Sequence, residues 1–393
     1  MFVLNWMVTA KITEKSIKLL QSAVTFVVMI IADIIAVLEQ FAPPSFQESY
    51  DNCGLLTGNA TWECKGALCT LDVTEAVVLE AIAKGCNMVV AHHPIIFGGL
   101  KKITGKSYVE NTVITAIKND VAIYAIHTNL DSVLNGVNGK IADALGLINT
   151  QILLPKQNTL IKLFTYVPNA YVAVVRDAIF KVGGGNISNY SECSFTVEGM
   201  GTFKAENGTN PFVGEVGKRH EEREMKLEII CPNYLKNRVV AALQAAHPYE
   251  EVAYDIINLN NELPAIGSGL IGDLQEPIDE MEFLRIIKMA FGLQVIKHTA
   301  LLSKKVKKVA VCGGAGSFLI GNAKAARADF YITSDVKYHE FFDAENMLVI
   351  ADIGHWESEQ FTPDLLISLL QAKFPTFVIL KSGVYTNSVK YFL

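Results

Sequence analysis

From about residue 66 the chain alternates between short apolar runs and longer segments with helical spacing. "GALCTLDV", "NMVVAHHP" and "VAIYAIHTNLD" contain continuous apolar stretches, the pattern of strands covered on both faces. Between them, "TEAVVLEAIAKG" reads as a helix with Thr74 as its cap and Gly85 just past its end. "YVENTVITAIKND" and "NGVNGKIADALGL" read as further helices, the second closed by Gly146. The alternation returns after residue 266. "VKKVAVCGGAG", "DFYITSD", "LVIADIGHW" and "TFVILKS" supply strands, and "SFLIGNAKAARA", "YHEFFDAENM" and "SEQFTPDLLISLLQAKF" supply helices. This predicts an α/β domain with a largely parallel central sheet.

Residues 156–265 break the pattern. Their segments run strand, helix, strand, strand, helix, strand, from "LIKLFTYVP" through "EEVAYDIINL", the order of a small ferredoxin-like α+β unit. The expected organisation is therefore a split α/β domain, 29–155 and 266–393, interrupted by an inserted domain at 156–265. Residues 1–28 carry Lys11, Lys15 and Lys18 ahead of an apolar run resembling a signal peptide. That run flows into "DIIAVLEQFAPPSF", which suits an amphipathic helix ending before Pro43, and Asp33 interrupts it. We read 1–28 as an N-terminal extension, with Met29 able to start the protein.

Composition narrows the class. Of 393 residues, 50% are hydrophobic and 19% charged, which excludes a disordered chain. The net charge of −6 comes with no basic stripe, so no nucleic-acid partner is expected. No membrane partner is expected either, because the apolar run is short for a span. The 7 cysteines form no CxxC pair, which disfavours a disulfide framework and suits a reducing cytoplasm.

The chain holds only 8 histidines, and two of them, His92 and His93, stand side by side before Pro94. His127 with Asp131, Asp335 with His339, and His355 with Glu359 also follow strands. The carboxyl ends of parallel strands are where ligands bind. An isolated His at a strand end is usually a packing residue, and an i, i+4 His/Glu pair usually a surface pair. Together, at strand ends of one split domain, these residues point to a transition-metal site. Adjacent histidines on a regular strand face opposite ways. At a strand end broken by Pro94 they can splay toward two ions, and a carboxylate such as Asp131 or Glu359 can bridge them.

Other motifs stay open. "CGGAGS", Cys312–Ser317, is either an anion cradle or a tight strand–helix turn. "DNCGLLTG", Asp51–Gly58, is a turn by composition, with Asp51 and Asn52 as outer supports of the site or plain loop residues. "HPYEE", His247–Glu251, is a helix-ending turn before it is a further polar site. Cys53 and Cys312 suit small buried hydrophobes better than nucleophiles.

The motifs "SYDNCGLLTG", "AHHPIIFGGLKKIT", "IHTNLDSVLNGVNGKIADALGL", "DFYITSDVKYHEFFDA" and "ADIGHWESEQF" together resemble the GTP cyclohydrolase 1 type 2 homologues, the Ngg-one-interacting-factor-three-like family. The likeness covers about 29–393, and the middle segment resembles the PII/CutA-like insert of the longer bacterial members. It implies His92, His93, Asp131, His355 and Glu359 as ligands of two divalent ions (zinc, iron or manganese), with Asp131 and Glu359 as bridges. It implies His127 and His339 as nearby proton-transfer groups and a homo-hexamer as the assembly. The activity it implies is metal-dependent hydrolysis of a small-molecule substrate such as GTP or another nucleotide or phosphoester. The competing expectation is a non-catalytic metal-handling, chaperone or regulatory protein, since a fold hosts many chemistries.

Overall fold

The computed structural model describes residues 28–392, so the expectation for the N-terminal extension lies, but for Val28, outside the described residues. Helix α1 (Ile31–Phe41) comes first. Asp33, the polar break in the apolar run, accepts the backbone N–H of Ile30 at 2.9 Å and satisfies the helix start. Then come β1 (Gly54–Thr57), β2 (Ala67–Thr70), α2 (Glu75–Ala83), β3 (Met88–Ala91), α3 (Tyr108–Lys118), β4 (Ala122–Ala125), α4 (Thr128–Asp131) and α5 (Val137–Ala144). The side chains of Thr74 and Ser107 cap α2 and α3. Gly85, just past the end of α2, takes a φ of 73° that suits glycine.

After β5 (Ile148–Pro155), the chain forms β6 (Leu160–Pro168), α6 (Val172–Lys181), β7 (Ser194–Lys204), β8 (Arg219–Pro232), α7 (Lys236–Ala246) and β9 (Tyr254–Asn258). It closes with β10 (Gly267–Asp279), α8 (Glu280–Ala290), β11 (Lys297–His298), β12 (Lys305–Ala315), α9 (Ile320–Ala325), β13 (Phe330–Ser334), β14 (Val349–Asp352), α10 (His355–Glu359), α11 (Thr362–Lys373) and β15 (Ile379–Lys381).

The expected single central sheet is in fact two. One has the order β1-β4-β3-β2-β15 and the other β11-β14-β13-β12-β10-β5. Each half of the chain builds one sheet and lends a strand to the other: β15 pairs parallel with β2, and β5 pairs antiparallel with β10. The apolar runs looked alike in sequence because strands of both sheets are buried on both faces. A shared core joins the sheets through α1, α5, α8 and α11, whose Ile34, Ile141, Phe283 and Leu366 lie among residues of β2, β3, β12 and β13. Helices α2 and α3 cover the outer face of the first sheet, and α9 that of the second.

Three local expectations change. Gly54–Thr57 is not a turn but an edge strand antiparallel to β4, too short to show alternation in sequence. The long C-terminal helix is two, α10 and α11, because Pro363 sits at the start of the second and cannot continue the first. The "CGG" of 312–314 continues β12 rather than forming a loop.

Residues 160–258 form their own antiparallel sheet, in the order β7-β8-β6-β9, with α6 and α7 on one face and a separate core of Leu163, Val175, Ile229 and Leu243. This is the strand order of a ferredoxin-like unit. Among the described residues, no helix is long and apolar enough to cross a membrane.

Phe283 ties α8 to β13: it is fully buried and its ring meets Phe330 edge-on at 5.1 Å. Replacing Phe283 with Ala should cost about 3–5 kcal/mol, read by urea denaturation in chelator. A loss under about 1 kcal/mol would show that this contact does not hold the two elements together.

Candidate metal centre

The two sheets point their strand ends at one another, and the candidate residues come from both. The chain beyond β3 keeps pairing with the chain beyond β2, His92 N–H to Thr70 O at 3.2 Å and His93 N–H to Leu71 O at 2.9 Å. Asp131 comes from the single turn α4 after β4, and His355 and Glu359 from α10 after β14. The expectation of one sheet edge is thus corrected to the meeting of two.

Among the described residues, three groups could each hold a metal ion: His92–His93–His127, His93–His355–Glu359 and His92–Asp131–Glu359. His92 Nε2 lies 3.5 Å from Asp131 Oδ1 and 3.8 Å from Glu359 Oε1. Glu359 Oε2 lies 2.9 Å from His93 Nε2 and 3.3 Å from His355 Nε2. His92 is fully buried and Glu359 is 2% exposed. Asp131 belongs to one of these groups, while Glu359, His92 and His93 each belong to two.

Each imidazole is fixed through its far nitrogen. His92 Nδ1 meets Ile126 O at 2.9 Å, His93 Nδ1 meets Asp72 Oδ1 at 2.7 Å, His127 Nδ1 meets Asp51 Oδ1 at 2.8 Å, and His355 Nδ1 meets Asp335 Oδ2 at 2.6 Å. Every partner is an acceptor, so each Nδ1 carries the proton. In the neutral rings this leaves the Nε2 lone pair free, the arrangement by which proteins orient metal-binding histidines.

The fit to a cation rests on atoms left without partners. His92 Nε2 and Asp131 Oδ1 are buried and make no hydrogen bond, and buried Glu359 Oε2 has only imidazole nitrogens beside it. A lone pair on His93 Nε2 cannot sit 2.9 Å from a carboxylate oxygen unless a proton or a metal ion separates them. Burial, then the nearby Glu359, pushes Asp131 up to about 7. Burial would raise Glu359 as well, but His93, His355 and His92 hold it well below the usual carboxylate range. Burial opposes protonation of His93 and His355, yet Glu359 and Asp72 raise the first to about 9, and Asp335 and Glu359 raise the second to about 11. Without a metal ion, protons fill the place of a cation.

Glycines make room for the carboxylate. A Cβ on Gly313 would press on Val137 and Ile141, and one on Gly314 would meet Glu359 Oε1 at 2.5 Å. Gly314 also has a φ of 62°, which side chains disfavour. Asn138 bonds the Asp131 carbonyl and the Gly313 N–H, and Ser358 accepts the Gly314 N–H, clamping α4, β12 and α10 together. "CGGAGS" thus shapes the pocket for Glu359.

His127 joins the cluster, but His339 does not. It is exposed and packs against Tyr338 and Phe342. Asp51 takes bonds from His127, Cys53 and Thr128, which outweigh burial and hold it below the ordinary range. Sequence reasoning missed Asp72, although it too follows a strand end. Cys53 and Cys312 are pushed up to about 12, chiefly by burial, so neither is a thiolate nucleophile near neutral pH.

Residues 29–388 match the family model Duf34/NIF3 (NGG1p interacting factor 3). A GTP cyclohydrolase 1 type 2 homolog from Halalkalibacterium halodurans is 40% identical over 359 residues, 90% of this chain and 96% of that protein. One from Bacillus subtilis is 39% identical over 325 residues, 82% of this chain and 87% of that protein. The crystal structure of a Bacillus cereus protein related to NIF3 superposes with a TM-score of 0.80 at 37% identity, covering 93% of this chain and all of that one. The chain belongs to the Duf34/NIF3 family.

Two outcomes follow from the geometry. Asp131, His93 and His355 each hold protons near neutral pH that a metal ion must displace. Metal affinity should therefore rise between about pH 6 and pH 9, with protons released, as read by calorimetry in buffers of different ionisation enthalpy. Affinity independent of pH would contradict the protonation described. Gly314→Ala, which alters no ligand, should weaken metal binding about 10- to 100-fold while circular dichroism stays native. Unchanged metal content after dialysis would show that Glu359 does not need the space.

Proposed function

We propose that the centre would hold two divalent cations on His92, His93, Asp131, His355 and Glu359, and that the protein is a metal-dependent hydrolase of a nucleotide or another phosphoester. The observation that carries this reading is the sharing of Glu359 between the His92–Asp131 group and the His93–His355 group. Imidazole and carboxylate donors suit zinc, iron and manganese alike. Such a pair of cations would polarise a phosphoryl or carbonyl oxygen and make a water acidic enough to attack near neutral pH.

The chain's own groups supply the rest. His127 stands beside His92 and His93, with ring centroids 5.2 and 5.3 Å away. Asp51 fixes its Nδ1 proton, which leaves Nε2 to take a proton from the attacking water and return it to the leaving group. Phe97, 54% exposed and 5.8 Å from the His127 ring, offers a face on which a base can stack. The name shared by the curated relatives puts GTP first among the nucleotides to try. In the same reading, the ferredoxin-like unit is a PII/CutA-like insert. The exposed rings of Tyr338 and Phe342 support self-association, with a hexamer as the expected assembly.

The test compares wild type with Glu359→Ala, each reconstituted with zinc, manganese or iron and given GTP and a panel of phosphoesters. The wild type should turn over a substrate only when loaded, and the variant should fall to the metal-free baseline with its fold intact. Tight metal binding with no metal-dependent turnover would sink the hydrolase reading and favour a metal-handling role.

A further inference from the structure

The ferredoxin-like unit carries a cleft of about 800 Å³, which is within the size range of small-molecule sites. It lies on the sheet face that α6 and α7 leave uncovered. Along β8, Leu227, Ile229 and Cys231 are buried against the helices, while Lys226, Glu228 and Ile230 alternate to the other side and are only half-buried. Glu224 belongs to that other side, yet it is 8% exposed. Tyr249, from the "HPYEE" turn after α7, donates its hydroxyl to Glu224 Oε1 at 2.9 Å. Across the hairpin, Gly201 leaves the space that Oε2 fills, and a Cβ there would collide with it.

No cation answers this carboxylate. Among the described residues Glu224 forms no ion pair, and the lysines that line the cleft are committed elsewhere, Lys204 to Glu206 at 3.5 Å and Lys226 to Glu228 at 2.9 Å. His247 packs against the Tyr249 ring at 4.9 Å but is spent as a neutral ring. Its Nε2 donates to Tyr166 O at 3.0 Å, and its Nδ1 accepts the Tyr249 N–H at 3.1 Å. A buried carboxylate with one hydroxyl for company is costly unless something else meets it. Aromatic rings form one wall of the cleft. Phe203 and Phe212 flank Tyr249 with ring centroids 6.2 and 6.1 Å away, and Gly199 leaves the floor open, since a Cβ there would touch nothing.

We propose that this cleft binds a small organic cation with an aromatic or apolar body. Its ammonium or amidinium group meets Glu224 in a charge-assisted hydrogen bond, and its body lies against Phe203, Phe212 and Tyr249, whose faces attract cations. An anionic ligand would find no free cation here and a surplus of carboxylates, since five glutamates and two lysines line the cleft.

The test uses the full metal-loaded chain, with benzamidine and phenethylamine as cationic probes and benzoate and benzyl alcohol as size-matched controls, followed by calorimetry. Both cations should bind saturably and benzoate should not. Glu224→Gln, which keeps the shape and the Tyr249 bond, should weaken them about tenfold or more. Gly199→Leu, which fills the floor, should abolish binding. Both variants should keep the metal content and circular dichroism of the wild type. Three results would each overturn the proposal: no saturable binding to the wild type, as when a second copy of the chain covers this face; benzoate binding as well as benzamidine; or cation binding unchanged in both variants.

Discussion

The centre depends on one buried carboxylate. Glu359 sits at 2% exposure among His92, His93 and His355, with Asp131 beside the same His92. A buried acid and a half-buried one this close repel one another, and three imidazoles whose far nitrogens are already used can answer them only with lone pairs or with extra protons. A cation between them resolves both conflicts at once. The surrounding chain is built around that need: glycines where a side chain would displace Glu359, Asn138 and Ser358 clamping the strand that carries them, and Asp51, Asp72 and Asp335 holding rings from behind.

The exchange of strands between the two sheets makes this arrangement rigid. If each half of the chain closed its own sheet, the strand ends would be free to shift against one another. With β15 paired to β2 and β5 paired to β10, each sheet contains backbone from both halves, and the core of α1, α5, α8 and α11 fills the space between. His92 and His93 come from the first half and His355 and Glu359 from the second, yet their nitrogens and oxygens meet to within hydrogen-bonding distances. A rise of a few tenths of an ångström in such distances weakens a metal site, so holding both halves in one frame serves the chemistry directly.

Much of this was legible in the sequence, for physical reasons that can be named. Strands buried on both faces leave continuous apolar runs, and caps such as Thr74 mark helix starts. The residues after each run are therefore readable as strand-end residues from the sequence itself. What the sequence hid is pairing. Nothing in "TFVILKS" says that it joins β2 rather than β12, because both partners offer the same apolar ladder; hence the single sheet expected in place of two. The same blindness explains His339. It follows a strand like the others, but the 3₁₀ turns of Tyr338–Ala344 carry it outward, and only the three-dimensional path of that segment shows it. Asp72 went unnoticed because one carboxylate after a strand has no partner in sequence; its partner, His93, lies 21 residues away.

Two of the buried glutamates illustrate how far a single residue type can be read. Glu359 and Glu224 are both nearly inaccessible, both face a glycine that clears space for the carboxylate, and both lie where the chain departs from the local rule that acids stay at the surface. Their surroundings separate them. Imidazole nitrogens with directed lone pairs converge on Glu359, which selects a metal ion. Aromatic faces and one phenol lie around Glu224, which is in none of the groups of three or more among the described residues that could hold a metal ion. Departures from local consistency concentrate where a protein binds something. The donor atoms around each acid, more than its burial, decide what that something is.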